Sequence, residues 1–419
     1  MHFETRDAAR GDGPDPADPD RVDEFRHAMV DDLLQDRTLY STRVARAMRG
    51  VPRHLFASGV PLEEAYSDIT LVTDRDEDGH ALHVLSAPGV QATMLQQADV
   101  RPGQRVLEIG SGGYNAALIA DLTGPDGEVT TVDTCPEQAA RTRRDLDTAG
   151  YPHVQAVHAK VEQGVPDNSP FDLILVTVES SGLPPAWAAQ LETGGRLVAP
   201  LAMRGLTRSI VFTRESSHWV GRDPQLCGYV RPHGDEVEWE QTVALQGKHV
   251  SLRLESDAPE IDVDGLSSAL STTPVEYWSR VNLSWDQSIA PLDLWLATCI
   301  DQFAILTGST EAVARDVVAR VSRTGAPTMV RGDNFGYRIA RPIRDDLSLW
   351  EVGVRAHGPQ ATPLAHDFIK YVREWAVHHR GWPGPRILVH PSKTSLARYS
   401  QGRVVNNRHA RILISWFAP

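Results

Sequence analysis

From Arg105 onward the sequence alternates short β-rich runs with stretches of helix length, and this rhythm constrains the fold more than any other feature. The runs are VLEI (106–109), EVTTVD (128–133), HVQAVHA (153–159), DLILVTV (172–178) and GRLVAP (195–200), separated by segments such as CPEQAARTRRDLDTAG (135–150). Strand and helix in alternation build a parallel sheet with crossover helices, so the spacing predicts a doubly wound α/β domain. After about residue 230 the rhythm stops. The remainder is richer in Trp and reads as mixed strands, one clear helix over 364–380 and a terminal β-like run RILISW (411–416), a separate α+β domain. A chain of 419 residues has room for both. Ahead of them, DAARGDGPDPADPD (7–20) has almost no bulky apolar side chains. The expected division is a disordered arm over 1–20, a first domain over 21–230 and a second over 231–419. Val22, Phe25, Met29 and Leu33 recur at helical spacing, and Ser41 reads as the N-cap of a short helix ending near Gly50.

Composition narrows the partners. A formal charge of −13 argues against nucleic acid, whose phosphates need a basic surface. Cys135, Cys227 and Cys299 are odd in number and far apart, which fits a reducing compartment and offers no paired zinc ligands. No apolar run reaches membrane-spanning length and the first residues lack a signal-peptide core, so the expected setting is the cytoplasm, with no membrane partner. The 16 His residues, His378 and His379 among them, fall in no metal-ligand spacing, and no metal is expected; the pair reads as surface residues on a helix.

The chemistry begins at VLEIGSGGYNAAL (106–118), an apolar strand running through Gly110, Ser111, Gly112 and Gly113 into a helix. Such glycines let the chain turn sharply and let a ligand approach the main chain and the helix N-terminus. A dinucleotide fingerprint requires Gly or Ala where this loop has Asn115. Methyltransferase loops favour an acid two positions before the first glycine, where Glu108 stands, and Asp133 ends the next strand at the distance from which a carboxylate meets ribose hydroxyls. Any βα turn can be glycine-rich. The loop, Glu108 and Asp133 together favour S-adenosylmethionine.

The flanks carry a family resemblance. VPRHLF (51–56) followed by AYSD (65–68), LSAP (85–88), PFDLILVT (170–177) and GGRLVAP (194–200) stand in the order of motifs found in the protein L-isoaspartyl O-methyltransferases. The resemblance implies a Rossmann-like S-adenosylmethionine-dependent methyltransferase domain, with 84–88 lying across its active site. There are departures: GSGGYN is one residue shorter than the usual loop, and AKV (159–161) replaces a GDG whose acid approaches adenine, putting Lys160 at that edge. Val84 takes the place of a Thr, and Arg208 falls where a Gln closes the site. The chain also runs on for about 190 residues past 230. GSGGYNAAL (110–118), MRGLTRSIVF (203–212), LCGYV (226–230), LDLWLA (292–297), AHGP (356–359) and HARILISW (409–416) resemble the FxLD-system branch, homologues associated with lanthipeptide biosynthesis.

These resemblances imply transfer of a methyl group from a sulfonium to a carboxylate. A carboxylate, with a reference pKa of about 3.9 to 4.3, is already ionised at neutral pH and needs no base; the enzyme positions it and excludes water. Ser86 and Arg208 are the expected catalytic residues, a hydroxyl donor and a carboxylate clamp at the rim; Val84, Leu85 and Arg208 would bind substrate. Glu108, Gly110, Ser111, Gly112, Gly113, Asp133 and Lys160 would bind the cofactor. From the residues alone Ser86 reads first as a turn residue before Ala-Pro, and Arg208 almost equally as a solvated edge-strand charge. Glu179, ending a strand near the cofactor edge, either excludes wrong substrates or faces solvent. Trp278, Trp285, Trp295, Trp350 and Trp375 read as core packing or as an aromatic groove for peptide. The methyl ester would close to a succinimide, favoured because the step is intramolecular, and reopen to aspartate or isoaspartate. Three functions stay open: isoaspartate installation at an Asp of a ring-containing ribosomal peptide, isoaspartyl repair, and non-catalytic peptide binding.

Overall fold

The computed structural model describes residues 4–7, 19–75, 81–110, 112–227, 240–284, 286–322, 324–343, 346–399, 401–407 and 410–416. The chain divides into two compact units, 1–201 with 207–235 and 202–206 with 236–419, so the division falls a few residues past the one expected from composition.

The first unit opens with β1 (Glu4–Asp7), α1 (Pro19–Gln35) and α2 (Thr42–Gly50), then a 3-10 turn at Arg53–Phe56, α3 (Leu62–Ala65), β2 (Ile69–Arg75), β3 (Ala81–Leu85) and α4 (Pro88–Ala98). Residues 1–3 and 8–18 of the expected arm lie outside the described residues, but β1 pairs in parallel with β2 from Glu4↔Ile69 to Asp7↔Val72. Main-chain pairing explains a strand in so polar a stretch, because backbone donors and acceptors need partners whatever the side chains. Helix α1 buries Val22, Met29, Val30 and Leu33. Helix α2 starts where Ser41 Oγ accepts from the Val44 amide, as its sequence predicted.

The alternating region folds as β4 (Arg105–Ile109), α5 (Tyr114–Thr123), β5 (Glu128–Asp133), α6 (Pro136–Thr148), β6 (Gln155–His158), β7 (Phe171–Val176), α7 (Pro185–Gln190), β8 (Leu191–Met203), β9 (Leu206–Glu215) and β10 (His218–Leu226). Their order across the sheet is β10-β9-β8-β7-β4-β5-β6, with β4 parallel to both β5 and β7. Strands covered on both faces are buried along nearly their whole length, as Val106–Ile109 of β4 and Leu173–Val176 of β7 are. Succession from β4 runs outward through β5 to β6 and then returns to β7 on the other side. The reversal places a crevice at the carboxyl end of β4, where open α/β sheets bind ligands.

The second unit contains β11 (Glu240–Gln246), β12 (Val250–Glu255), α8 (Val263–Ala269), β13 (Val275–Ser284), α9 (Ala290–Cys299), β14 (Phe303–Gly308), α10 (Thr310–Ala314), β15 (Ala326–Arg331), β16 (Asn334–Ile343), β17 (Asp346–His357), α11 (Ala361–His378), β18 (Arg386–Pro391), β19 (Arg403–Asn406) and β20 (Ala410–Ser415). Its main sheet has the order β11-β12-β14-β15-β16-β17-β13. Helix α11 presents Leu364, Ala365, Phe368, Ile369, Val372 and Trp375 at helical spacing to β13, β16 and β17. Trp278, Trp295 and Trp375 are packing elements. Trp375 is buried, Trp278 lies under the Arg341 guanidinium at 3.9 Å, and Trp295 meets Trp416 edge-on at 5.5 Å. Trp350 is half-buried, and Trp285 lies outside the described residues. Of the paired histidines only His378 is exposed; His379 packs on Trp295 and Trp416 at 4.3 and 5.1 Å, because the helix ends there and its side chain turns back onto those rings. Among the described residues, no helix is long and apolar enough to cross a membrane, and no group of three or more His, Cys, Asp or Glu is placed to hold a metal ion.

Candidate active site

Strand β4 delivers the glycine loop to the reversal point. The Gly110 amide donates to the Val132 carbonyl at 3.0 Å, tying the turn to β5. Gly110 adopts φ +95°, and a Cβ there would stand 2.4 Å from Val178 Cγ1, so both conformation and space exclude a side chain. Gly113 caps α5 at φ +81°, with Phe56 ring atoms 2.9 Å from where a Cβ would be. Gly112 differs: a side chain grown there would find nothing nearer than the Val84 carbonyl oxygen at 3.8 Å and Leu85 Cδ1 at 3.9 Å. The loop therefore passes beneath the end of β3 with room above it. Ser111 lies outside the described residues.

Glu108 does not face that room. It is 1% exposed, and its carboxylate accepts from Thr131 Oγ1, from Thr177 Oγ1 at 3.1 Å and from Asn115 Nδ2 at 3.5 Å. Thr177 also donates to the Ile109 and Gly110 carbonyls. The expected cofactor ligand is thus corrected to an internal brace, since a sealed carboxylate satisfied by three side chains supports the loop from below. Burial raises its pKa to about 7, opposed by those hydrogen bonds. Thr131 and Thr177 carried no signal in the sequence and Asn115 stood out only as a departure from the dinucleotide fingerprint, because strand register and the start of α5 together bring them around one carboxylate.

Asp133 ends β5 at the crevice, 8% exposed, its Oδ1 accepting from the Cys135 amide at 2.8 Å. That bond fixes the carboxylate at the strand end, and among the described residues no donor is bonded to Oδ2. Lys160 is exposed on the turn after β6, next to Ala159, whose amide donates to the Asp133 carbonyl at 3.0 Å. Two glycines that admit no side chain, a third with open space above it and a rim carboxylate fit a nucleoside with an extended polar tail.

Val84 and Leu85 close the loop from the β3 side, and half-buried Ser86 follows at the corner into α4. The Ser86 carbonyl accepts from Arg53 Nη2 at 2.8 Å. Arg208, expected either at the rim or in solvent, is 2% exposed, with Nη1 donating to the Thr207 carbonyl at 2.9 Å. The reason is its position on β9, opposite Leu226 of β10, which turns the side chain inward. Glu179 is also buried, accepting from Thr207 Oγ1 at 2.6 Å, so it does not face solvent. Both charges act on the Cys227 thiol, which burial pushes up to about 12, Arg208 pulling it down and Glu179 up. Cys227 packs with Ala87 and Val90, so its thiol lies against the corner that carries Ser86.

A family profile for protein-L-isoaspartate (D-aspartate) O-methyltransferase matches residues 24–236. The chain is 34% identical over 204 residues to the protein-L-isoaspartate O-methyltransferase of Methanothermobacter thermautotrophicus, covering 48% of this chain and 91% of that protein. It is 38% identical over 226 residues to the protein of the same name from Methanopyrus kandleri, covering 52% and 96%. A solved protein-L-isoaspartate O-methyltransferase structure aligns with 92% of this chain and 98% of its own at 19% identity and a TM-score of 0.48.

Proposed function

This chain belongs to the protein-L-isoaspartate (D-aspartate) O-methyltransferase family and is an S-adenosylmethionine-dependent enzyme, and from that premise we propose that it methyl-esterifies an aspartyl side chain of a ring-containing ribosomal peptide, a lanthipeptide, leading through a succinimide to isoaspartate. The observation that carries the site is the passage of Gly112 beneath Val84 and Leu85, which sets Ser86 at the edge of the glycine loop.

When bound, the cofactor supplies an electrophilic methyl group. The chain's own residues position the acceptor. Gly110, Gly112 and Gly113 would offer main chain to the cofactor, Asp133 would accept from its ribose, and Lys160 would border its adenine. The Ser86 hydroxyl donates to the substrate carboxylate, and Val84 and Leu85 keep water from that side. Arg208 acts from inside as a fixed positive charge near Cys227, which packs against the Ser86 corner. Esterification removes the negative charge that resists nucleophilic attack and provides a leaving group, so the next backbone nitrogen of the peptide closes the ring.

The lanthipeptide reading is supported by motifs that continue to residue 416 and by a second unit beyond the family match. Repair of isoaspartyl residues is the second reading, favoured by the names of the relatives. The test incubates the full chain and cofactor with a generic isoaspartyl peptide or with a ring-containing lanthipeptide bearing Asp, followed by mass. A transient gain of one methylene, then loss of methanol to leave the ringed peptide one water lighter than it began, supports the proposal. Methylation of the generic peptide alone overturns it in favour of repair.

A further inference from the structure

Arg53 lies in the 3-10 turn, fully buried, and its guanidinium reaches three segments at once. Nε donates to the Ala65 carbonyl, Nη1 to Gln91 Oε1 and Nη2 to the Ser86 carbonyl, each at 2.8 Å. Its Cζ stands 5.1 Å from the centre of the Tyr114 ring, the first residue of α5 after the glycine loop. From the same stretch as Ala65, Asp68 Oδ1 accepts from the Gly89 amide at 2.7 Å. The corner over 86–91 is thus held on both sides, and the motifs at 51–56, 65–68 and 85–88 form one hydrogen-bonded cluster. Burial lowers the Arg53 pKa to about 10, so the group stays charged at neutral pH.

We propose that Arg53 is a positioning residue for methyl transfer, locking the main chain of Ser86 to the start of the cofactor-binding helix. This rests on the reading that Ser86 borders the acceptor carboxylate. A planar fork is needed because its donors leave in three fixed directions, whereas an ammonium is a point charge and cannot span them. A shift of the Ser86 corner by about 1 Å is enough to lower turnover by up to about 100-fold.

Arg53→Lys tests this against Leu146→Ala, a core truncation in the last turn of α6, both assayed well below their melting temperatures. Turnover is measured with whichever peptide the wild-type chain methylates, and cofactor affinity by calorimetry. Arg53→Lys is expected to lower kcat by about 10- to 100-fold with a much smaller change in cofactor Kd, and Leu146→Ala to leave kcat per folded molecule near wild type. Equal kcat for the two variants overturns the proposal. Tyr114→Leu, a milder change beneath the guanidinium, provides the same kcat-against-Kd split if Arg53→Lys does not fold. If wild type methylates neither peptide, the substrate reading fails separately. Amide exchange then decides the Arg53 assignment: faster exchange across 89–91 in Arg53→Lys supports the lock, and unchanged exchange there overturns it.

Discussion

Glu108 and Thr131 face each other in register across the parallel strands β4 and β5, and the Thr131 hydroxyl donates to the Glu108 carboxylate inside the sheet. A carboxyl group sealed at the root of the loop makes stability depend on pH. Its pKa is raised from 4.5 to about 7, chiefly by burial. Between these values the folded chain holds a proton that the unfolded chain releases, so this contribution is full below 4.5 and is lost as pH rises through 7. Glu108→Gln removes the titration. The stability of wild type relative to Glu108→Gln is therefore expected to fall by about 3 kcal/mol from about pH 4 to about pH 8, measured by denaturant unfolding without cofactor. A gap that does not change with pH contradicts the assignment.

The glycines are expected to separate folding from binding. Gly110→Ala meets Val178 and must hold a positive φ, so it should cost about 1–3 kcal/mol and weaken cofactor binding. Gly112→Ala meets nothing closer than 3.8 Å and should unfold within about 0.5 kcal/mol of wild type, yet lose cofactor affinity because its methyl fills the approach. Calorimetric binding beside thermal melts reads both. Undiminished affinity in Gly112→Ala would falsify the placement of the cofactor over this loop.

Asp133→Asn and Ser86→Ala should act on opposite sides of the reaction. The first keeps the acceptor for the Cys135 amide but loses a charged acceptor at the rim, and cofactor Kd should rise about tenfold or more. The second leaves cofactor affinity unchanged and lowers kcat by about 10- to 100-fold. Steady-state kinetics with independent Kd measurement distinguishes them; an exchange of the two effects rejects the assigned sides.

Two of the three thiols, Cys227 and Cys299, should be nearly inert in the folded chain. Burial pushes both Cys227 and Cys299 up to about 12, and the thiolate is the reactive form. An aromatic disulfide reagent at mildly alkaline pH is expected to modify neither within the time in which urea-unfolded protein reacts completely. Rapid native modification of Cys227, located by peptide mapping, would show that its cluster with Ala87 and Val90 opens.

The local order of this protein was legible in its sequence. Alternating runs gave the parallel strands and crossover helices, the glycines after VLEI marked the sharp turn, Asp133 marked a strand end, and Ser41 marked a helix start. Each is set by periodicity or backbone conformation within a few residues. Tertiary structure decided what those residues face. Glu108 was legible as an acid beside a glycine loop, but strand register surrounds it with Thr131, Thr177 and Asn115 and makes it a brace. Arg208 read as a rim clamp or a solvated charge, and Glu179 as a filter against wrong substrates or a solvent-facing acid, until the β9–β10 pairing turned Arg208 inward and Thr207 bonded Glu179. Arg53 sits in a motif that was visible at once, yet its three bonds reach residues 12 to 38 positions away. One-dimensional patterns report which face of an element is apolar; the partners of a buried polar group depend on which distant segments the packing brings together, and only the folded chain settles that.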